Sequence, residues 1–242
     1  LITTYSTYCF FQLANTDINT IVIATQHNSH ASFVCQALAA KKHVFVEKPL
    51  AITQEQHQRI ADEIEKNTHN SALMVGYNRR FSPHIQKMKA LLAPISEPKS
   101  LIMTMNAGAI PADHWVHDSE KGGGRIIGEA CHFIDLAMYV AGAPIVSVSA
   151  QSMDTGNSLN DTVVIQLRMA NGSIASINYF SNGSKDLPKE YLEVFCGGQS
   201  AIVEDFKSMR VLGKQASKSK LSAQDKGHNA EVDAFLSAVR EG

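Results

Sequence analysis

Between residues 20 and 92 the chain alternates short apolar runs with amphipathic stretches. Residues 20–24 and 43–46 are β-branched and aromatic runs, and each gives way to polar residues at its end. The stretch between them has a helical period, with its apolar positions on one face: Phe33, Val34, Ala37 and Leu38. A strand, a crossover helix and a second strand form the unit of a parallel sheet.

The same alternation continues beyond the second run. Residues 53–68 are predicted to form a helix, because Thr53 is a good N-cap and Gln56 occupies the third helical position of a capping box. Residues 72–76 predict the next parallel strand, and residues 81–92 predict a helix that leaves this part of the chain.

The pattern changes after Pro94. Six runs, several of them alternating apolar and polar residues, predict strands at 100–106, 145–150, 162–168, 173–179, 191–195 and 200–204. Alternation is typical of a sheet with one covered face and one open face. A long helix at residues 125–140 is expected to cover the sheet, and the Lys- and Ser-rich residues 214–224 predict a polar loop.

The last predicted helix spans residues 228–240. Its apolar side chains share one face: Val232, Phe235, Leu236 and Val239.

Polar residues follow the first two strands at the point where each strand ends. Residues 25–30 follow the first, and Glu47, Lys48 and Pro49 follow the second. In parallel α/β sheets, ligands bind outside the carboxyl ends of the strands. The two strand ends therefore predict one crevice with an active site.

Composition narrows the function further. The chain has 242 residues and a net charge of −1, which gives no electrostatic reason to expect a nucleic acid or an anionic membrane as a partner. The four cysteines form no C-x-x-C pair, so buried free thiols in a reducing compartment are expected. No apolar run approaches the ~20 residues of a membrane span, and the first residues do not resemble a signal peptide. The sequence thus predicts a cytoplasmic protein.

Four motifs carry a family resemblance. They are the A-T-x-x-N-x-H run at residues 24–30, Glu-Lys-Pro at 47–49, Gly-Tyr-Asn-Arg-Arg-Phe at 76–81, and the triple glycine at 122–124 followed by His-Phe-Ile-Asp at 132–135. In this order the chain resembles the Gfo/Idh/MocA oxidoreductases over nearly its whole length. The sequence of residues 113–118 and 124–132 resembles that of one branch of this family. In that branch the module is fused behind a zinc-type alcohol dehydrogenase domain.

The pattern and the resemblance together predict an α/β fold of two parts. Residues 1–93 would be the C-terminal part of a Rossmann-type NAD(P)-binding domain. Residues 94–242 would form an α+β domain for substrate binding and oligomerisation, with a large, mostly antiparallel, open-faced sheet. Residues 5–14 are interpreted as the end of a helix, and no G-x-G-x-x-G turn precedes Thr20. We therefore expect the first strands of the nucleotide domain to lie upstream of this chain.

Hydride transfer from an alcohol requires a held nicotinamide, a base for the hydroxyl proton and positive charge near the developing alkoxide. Lys48, at the end of a buried strand, and His132, on the long helix, suit the last two requirements, because burial lowers a lysine pKa and histidine titrates near neutrality. The resemblance implies the same two catalytic residues. The alternatives are a solvated lysine at the strand end and a histidine packed in the core.

One position departs from the family pattern. Many members carry an aspartate one helical turn before the histidine, whereas this chain has Gly128 there, followed by Glu129. Adjacent helical residues point roughly 100° apart, so Glu129 is not assumed to replace the aspartate.

The resemblance implies NAD or NADP as cofactor and a sugar or sugar-nucleotide as substrate, and it also implies a cis peptide bond before Pro49. The residues expected at the cofactor are Thr25, Asn28, His30, Glu47, Lys48, Pro49, Asn78, Arg79 and Trp115. The residues expected at the substrate are Lys48, Arg125, Glu129 and His132. Helix capping explains Asn28 equally well, and of the adjacent Arg79 and Arg80 at most one is expected to point into the site.

Other functions remain open from the sequence. His27-x-x-His30 and His114-x-x-His117 could supply zinc donors, but neither pair has the i, i+4 spacing of a zinc-protease helix, and no metal is predicted. The alternatives are a non-catalytic nucleotide-binding or docking module, and glycoside cleavage through transient oxidation on the same fold. The resemblance further implies a homodimer or homotetramer formed through the open sheet face.

Overall fold

A computed structural model describes residues 13–154 and 161–241. The first part contains three strands, β1 (Thr20–Ile23), β2 (His43–Val46) and β3 (Leu73–Val75). They form a parallel sheet in the order β1-β2-β3. Helices α1 (His27–Ala39) and α2 (Gln54–Lys66) provide the crossovers, which confirms the predicted strand–helix–strand unit.

A small apolar core joins these elements. Val34 and Ala37 of α1 are fully buried against Val44 and Val46 of β2, and Ile60 of α2 completes the cluster. Such contacts stabilise an amphipathic helix far more than its intrinsic propensity does.

The predicted capping box at the start of α2 is present in a modified form. The Thr53 hydroxyl accepts a hydrogen bond of 3.2 Å from the Gln56 backbone N–H. Oε1 of Gln56 accepts from the backbone N–H of Ile52, one residue earlier than in the standard box.

After β3, a 3₁₀ turn (Asn78–Phe81) leads into α3 (Pro83–Leu92), which begins with its proline in the first turn. The predicted helix at 81–92 is confirmed as α3, except that Phe81 belongs to the 3₁₀ turn. The turn matters for the site, because it places Asn78 and Arg79 in buried positions.

Eight strands build the second sheet. They are β4 (Ser100–Asn106), β5 (Ile145–Ser152), β6 (Val163–Met169), β7 (Ile174–Phe180), β8 (Glu190–Cys196), β9 (Gln199–Glu204), β10 (Ser208–Leu212) and β11 (Ser217–Lys220). Their order is β11-β10-β9-β8-β4-β7-β6-β5, and all pairs are antiparallel except β4 with β7. The predicted fold class is confirmed, and six of these strands were predicted.

The loop predicted at 214–224 is wrong in part, because it contains β11, which pairs with β10. Its Ser-Lys-Ser-Lys sequence buries no apolar side chain, so hydrophobic patterning could not find it. Lysines are typical of an edge strand, where they discourage pairing with other chains.

One face of the large sheet is covered and the other is open. The helix predicted at 125–140 consists of a π-helical turn (Ile126–Ala130) followed by α4 (Cys131–Ala141). Phe133 and Leu136 of α4 lie in one buried cluster with Met103 of β4 and Ile177 of β7. Alternate residues of the strands face away from this core, which confirms the predicted open face.

The C-terminal helix α5 (His228–Glu241) returns to the parallel sheet. The Phe235 ring contacts the Phe45 ring edge-on, with centroids 5.6 Å apart. On the apolar face of α5, Phe235 is buried but Val232 and Leu236 are exposed, and the polar Glu231 is buried.

Most of the helix predicted at 5–14 lies outside the described residues. Among the helices that the structure describes, none is long and apolar enough to cross a membrane.

Candidate active site

A cavity of about 390 Å³ opens at the carboxyl ends of the parallel strands, beneath the π-turn and α4. Among the residues that line it are Lys48, Arg79, Trp115, Glu129 and His132. Two larger cavities, of about 610 and 480 Å³, lie along the eight-stranded sheet and include neither Lys48 nor His132. The chemistry, rather than the volume, therefore marks the smaller cavity as the candidate site.

Lys48 joins the two parts of the molecule. Its Nζ donates a hydrogen bond of 2.8 Å to the backbone carbonyl of Gly128 in the π-turn. The Lys48–Pro49 peptide bond is cis, as the resemblance implies. The ammonium group thus has a fixed position beside the first turn of α4.

His132 lies in that first turn and is only 6% exposed. Burial lowers the pKa of His132, and the nearby charges of Arg79 and Lys48 lower it further, so the imidazole is neutral. The expectation that it titrates near neutrality does not hold in this environment. Its Nδ1 is buried without a hydrogen-bond partner among the described residues.

The packing around Gly128, where the resemblance implies an aspartate, is close. A Cβ atom at residue 128 would lie 2.9 Å from Cε1 of His27 and 3.6 Å from Cγ2 of Val116. A contact of 2.9 Å between carbon atoms is repulsive. The His27 ring therefore occupies the space that a side chain at residue 128 would need.

Glu129 lies in the same cavity as His132. Its Oε1 accepts a hydrogen bond of 3.2 Å from Nε of Arg125, and its Oε2 is 3.8 Å from Nζ of Lys189. Glu129 lies within the π-helical turn, which is wider than an α-helical turn and changes the direction of the side chains along it. An α-helical projection of the sequence cannot show this arrangement.

Arg79 is held by a buried carboxylate. Its Nε and Nη2 donate to the two oxygens of Glu190 at 2.7 and 2.9 Å, and Nζ of Lys226 lies 2.5 Å from Oε1 of the same residue. Burial alone would raise the pKa of Glu190, but the hydrogen bonds and charges of Arg79 and Lys226 outweigh it and hold the pKa below its ordinary value. Arg80 instead forms an ion pair with Asp135, so only one of the two adjacent arginines lines the cavity, as expected.

His30 connects the two polar strand ends. It is fully buried, and its ring nitrogens lie 2.7 Å from the Pro49 carbonyl and 3.0 Å from the Thr25 carbonyl. Thr25 Oγ1 also lies 2.6 Å from Oγ of Ser29, and the Asn28 backbone N–H donates to the Lys121 carbonyl. The side chain of His30 therefore contacts the chain itself rather than the cavity.

Other predicted site residues lie behind the cavity wall. Nδ2 of Asn78 donates to the Lys226 carbonyl at 3.0 Å. Arg125 is 2% exposed and donates to the Gly108 carbonyl at 2.7 Å as well as to Glu129. Glu47, Pro49, Thr25 and Asn28 also do not line the cavity.

Sequence reasoning missed His27 as a lining residue and considered it only as a metal ligand. Its Nδ1 lies 2.8 Å from the Gly122 carbonyl, and its ring meets Trp115 edge-on with centroids 4.7 Å apart. Burial lowers the pKa of His27. The only feature of the sequence that indicated His27 as a lining residue was its position just after the end of β1.

The molecule has a parallel sheet with a lysine at a strand end. This sheet is joined to an open-faced sheet whose covering helix carries a histidine. Such an arrangement is typical of two-part α/β proteins of the dinucleotide-binding class. The chain belongs to the Gfo/Idh/MocA family. The family model described as an oxidoreductase family with an NAD-binding Rossmann fold matches residues 4–77, and that of the GFO/IDH/MocA C-terminal domain matches residues 85–201.

The relatives include an uncharacterized oxidoreductase of Bacillus subtilis, 32% identical over 174 residues, which are 69% of this chain and 50% of that protein. A myo-inositol 2-dehydrogenase of Thermotoga maritima is 28% identical over 170 residues, covering 67% of this chain and 49% of that protein. The chain thus spans about half the length of the curated relatives it matches.

The fold is shared with solved structures. A levoglucosan dehydrogenase in complex with NADH and levoglucosan superposes with a TM-score of 0.82 at 20% identity, over 98% of this chain and 75% of that one. An oxidoreductase domain protein from Kribbella flavida gives a TM-score of 0.81 at 20% identity, over 96% and 74%. Fusion behind an alcohol dehydrogenase domain, further strands upstream and a cytoplasmic location stay predictions.

Proposed function

We propose that this chain is the catalytic part of an NAD(P)-dependent dehydrogenase that acts on a hydroxyl group of a sugar or sugar-nucleotide. One observation carries the proposal: the ammonium of Lys48, bound to the Gly128 carbonyl, shares a cavity with the neutral imidazole of His132. This is the pair of groups that oxidation of an alcohol requires beside a nicotinamide.

The two side chains have separate roles. Neutral His132, which lines the cavity, accepts the proton of the substrate hydroxyl. Lys48 stabilises the negative charge that develops on the same oxygen. Bound NAD(P) supplies the acceptor for the hydride that leaves the carbinol carbon.

The predicted cofactor residues divide into two groups. Lys48 and Trp115 line the cavity and would contact the nicotinamide end directly, with Thr25, Asn28, Glu47 and Pro49 beside it at the strand ends. Arg79 lines the cavity too, but Glu190 binds most of its guanidinium, so it, His30 and Asn78 would act mainly by holding the loops in place. Either NAD or NADP fits this part of the site.

The substrate would lie between Lys48, Glu129 and His132. Arg125 orients Glu129 from behind the wall. The relatives named as inositol and levoglucosan dehydrogenases support a ring with several hydroxyl groups. In this proposal residues 1–93 hold the cofactor, and residues 94–242 hold the substrate and form the subunit contact.

The open sheet face supports assembly into a homodimer or homotetramer. Its large exposed apolar side chains include Ile102, Ile174 and Phe195. Such a patch on a soluble protein commonly marks an interface. Light scattering after gel filtration should give two or four subunits, and Ile174→Asp should shift the mass towards the monomer.

Cofactor binding tests the proposed function. In the full-length protein, titration with NADH and NADPH should quench Trp115 or give energy transfer from it, because it lines the cavity. Calorimetry on Trp115→Phe provides the control, since the optical signal should fall by the share that Trp115 contributes while most of the affinity remains. No binding of either nucleotide would contradict the proposal.

A further inference from the structure

We propose that His27 binds the substrate, with its Nε2 accepting a hydrogen bond from a second hydroxyl group of a neutral, polyhydroxylated ring. The inference rests on the proposed function and adds a residue that determines specificity. It begins from the contacts that fix the His27 ring in the wall of the cavity.

The Nδ1 side of the ring is bound to the chain. Nδ1 lies 2.8 Å from the Gly122 carbonyl, which can only accept, so Nδ1 carries the hydrogen in this bond. The neighbouring Asn28 backbone N–H donates to the Lys121 carbonyl at 3.1 Å, which holds the same loop against the start of α1. A Cβ atom at residue 122 would lie 2.4 Å from the Val116 backbone, so only glycine permits this close loop.

Two neighbours flank the ring. Trp115 packs edge-on against it, and Cε1 lies over Gly128, 2.9 Å from where a Cβ atom at that residue would be. The Gly128 carbonyl in turn holds Nζ of Lys48. His27 and Lys48 therefore both lie against Gly128, and both line the cavity.

The ring is neutral in this environment. Burial lowers the pKa of His27, the charges of Lys48 and His30 lower it further, and the bond to Gly122 opposes them without prevailing. The position at the first residue of α1 also disfavours a positive charge. A neutral ring with hydrogen on Nδ1 has its lone pair on Nε2.

Nε2 forms no hydrogen bond within the described residues, although the residue lines the cavity. An acceptor nitrogen selects a donor, so a hydroxyl group suits it, whereas a phosphate or carboxylate oxygen has no hydrogen to offer. His27 thus favours a neutral hydroxyl group at the position next to the one that Lys48 and His132 serve.

Two substitutions separate this role from loop anchoring. His27→Asn places an amide near Nδ1, so it can still donate to Gly122, but it removes Nε2. His27→Gln places a polar atom near Nε2 and loses the anchor. Each is compared in the full-length enzyme with the wild type, using myo-inositol, levoglucosan and their single-deoxy analogues as probes.

For His27→Asn we expect kcat/KM on the best probe to fall about tenfold, the loss typical of one hydrogen bond, with NADH affinity within about twofold. His27→Gln should recover most of kcat/KM even if its thermal stability is lower. The wild type should also discriminate about tenfold against one deoxy analogue, and His27→Asn should not.

Unchanged discrimination by His27→Asn, or an effect confined to NADH affinity, would overturn the inference and leave the proposed function intact. Absence of nucleotide binding and turnover in the wild type would overturn the proposed function, and this inference with it.

Discussion

Lys48 and Gly128 lie 80 residues apart in the chain, yet Nζ of Lys48 donates a hydrogen bond of 2.8 Å to the Gly128 carbonyl. This bond joins the strand end of the parallel sheet to the π-turn that precedes α4 on the other sheet. A backbone carbonyl thus holds the ammonium group at the residue where the resemblance implies an aspartate side chain.

The first prediction concerns Lys48 itself. Lys48→Ala in the full-length enzyme should lower kcat by about 10²–10³, the usual effect of removing one group that stabilises a developing oxyanion. NADH affinity, measured by calorimetry, should stay within a few-fold. Lys48→Arg keeps the charge but not the geometry, so it is the control for the effect of charge alone. An unchanged kcat in Lys48→Ala would remove Lys48 from the mechanism.

The second prediction concerns the packing of Gly128 against His27. Gly128→Ala places a methyl group 2.9 Å from Cε1 of the ring, and it should lower the stability by about 1–3 kcal/mol through overpacking. Adding His27→Ala should lower the free energy of unfolding less in the Gly128→Ala variant than in the wild type, because removal of the ring relieves the clash.

Urea unfolding of the four proteins gives the coupling energy between the two sites. Additive effects, with no coupling beyond about 0.5 kcal/mol, would mean that the loop moves away and that the ring does not define the space.

The third prediction concerns the protonation of His132. Because burial, Arg79 and Lys48 lower its pKa, its ring should stay neutral between pH 5 and pH 8. Carbon and nitrogen NMR shifts of histidine-labelled protein, with His132→Asn used for the assignment, should show no titration of this residue in that range. A titration midpoint near the ordinary value of about 6.5 would show that His132 is more exposed to solvent, or nearer to less positive charge, than described.

The fourth prediction concerns Glu231, whose Oε1 is buried without a partner among the described residues. Burial and the carboxylates of Glu47 and Asp135 raise its pKa from 4.5 to about 7, although Arg80 opposes them. The folded state therefore holds this proton more tightly than the unfolded state. The resulting stability is complete below pH 4.5 and is lost as the pH rises through about 7.

Relative to Glu231→Gln, the wild type should lose up to roughly 3 kcal/mol of unfolding free energy between pH 5 and pH 8, at about 1.4 kcal/mol per unit of pKa difference. Urea unfolding of both proteins at the two pH values measures this difference. Parallel pH dependence in the two proteins would show that Glu231 is already paired or hydrated in solution.

The sequence by itself predicted the strand–helix–strand unit, six of the eight strands of the large sheet, and the two side chains at the centre of the proposed site. Apolar runs with a helix between them identify β1, α1 and β2, because side-chain period is a local property. Lys48 follows an apolar run that predicts a buried strand, and the ordered motifs indicate Lys48 and His132 from the sequence alone. Patterning failed where the side chains carry no apolar signal, as in β11.

The tertiary structure decided which side chains face the cavity. Glu190, 111 residues away, binds most of the guanidinium of Arg79, and the ring of His27 fills the space beside Gly128. The π-turn directs Glu129 in a way that an α-helical projection does not anticipate. These contacts depend on how two sheets pack, and packing between distant segments leaves no periodic trace in the local sequence.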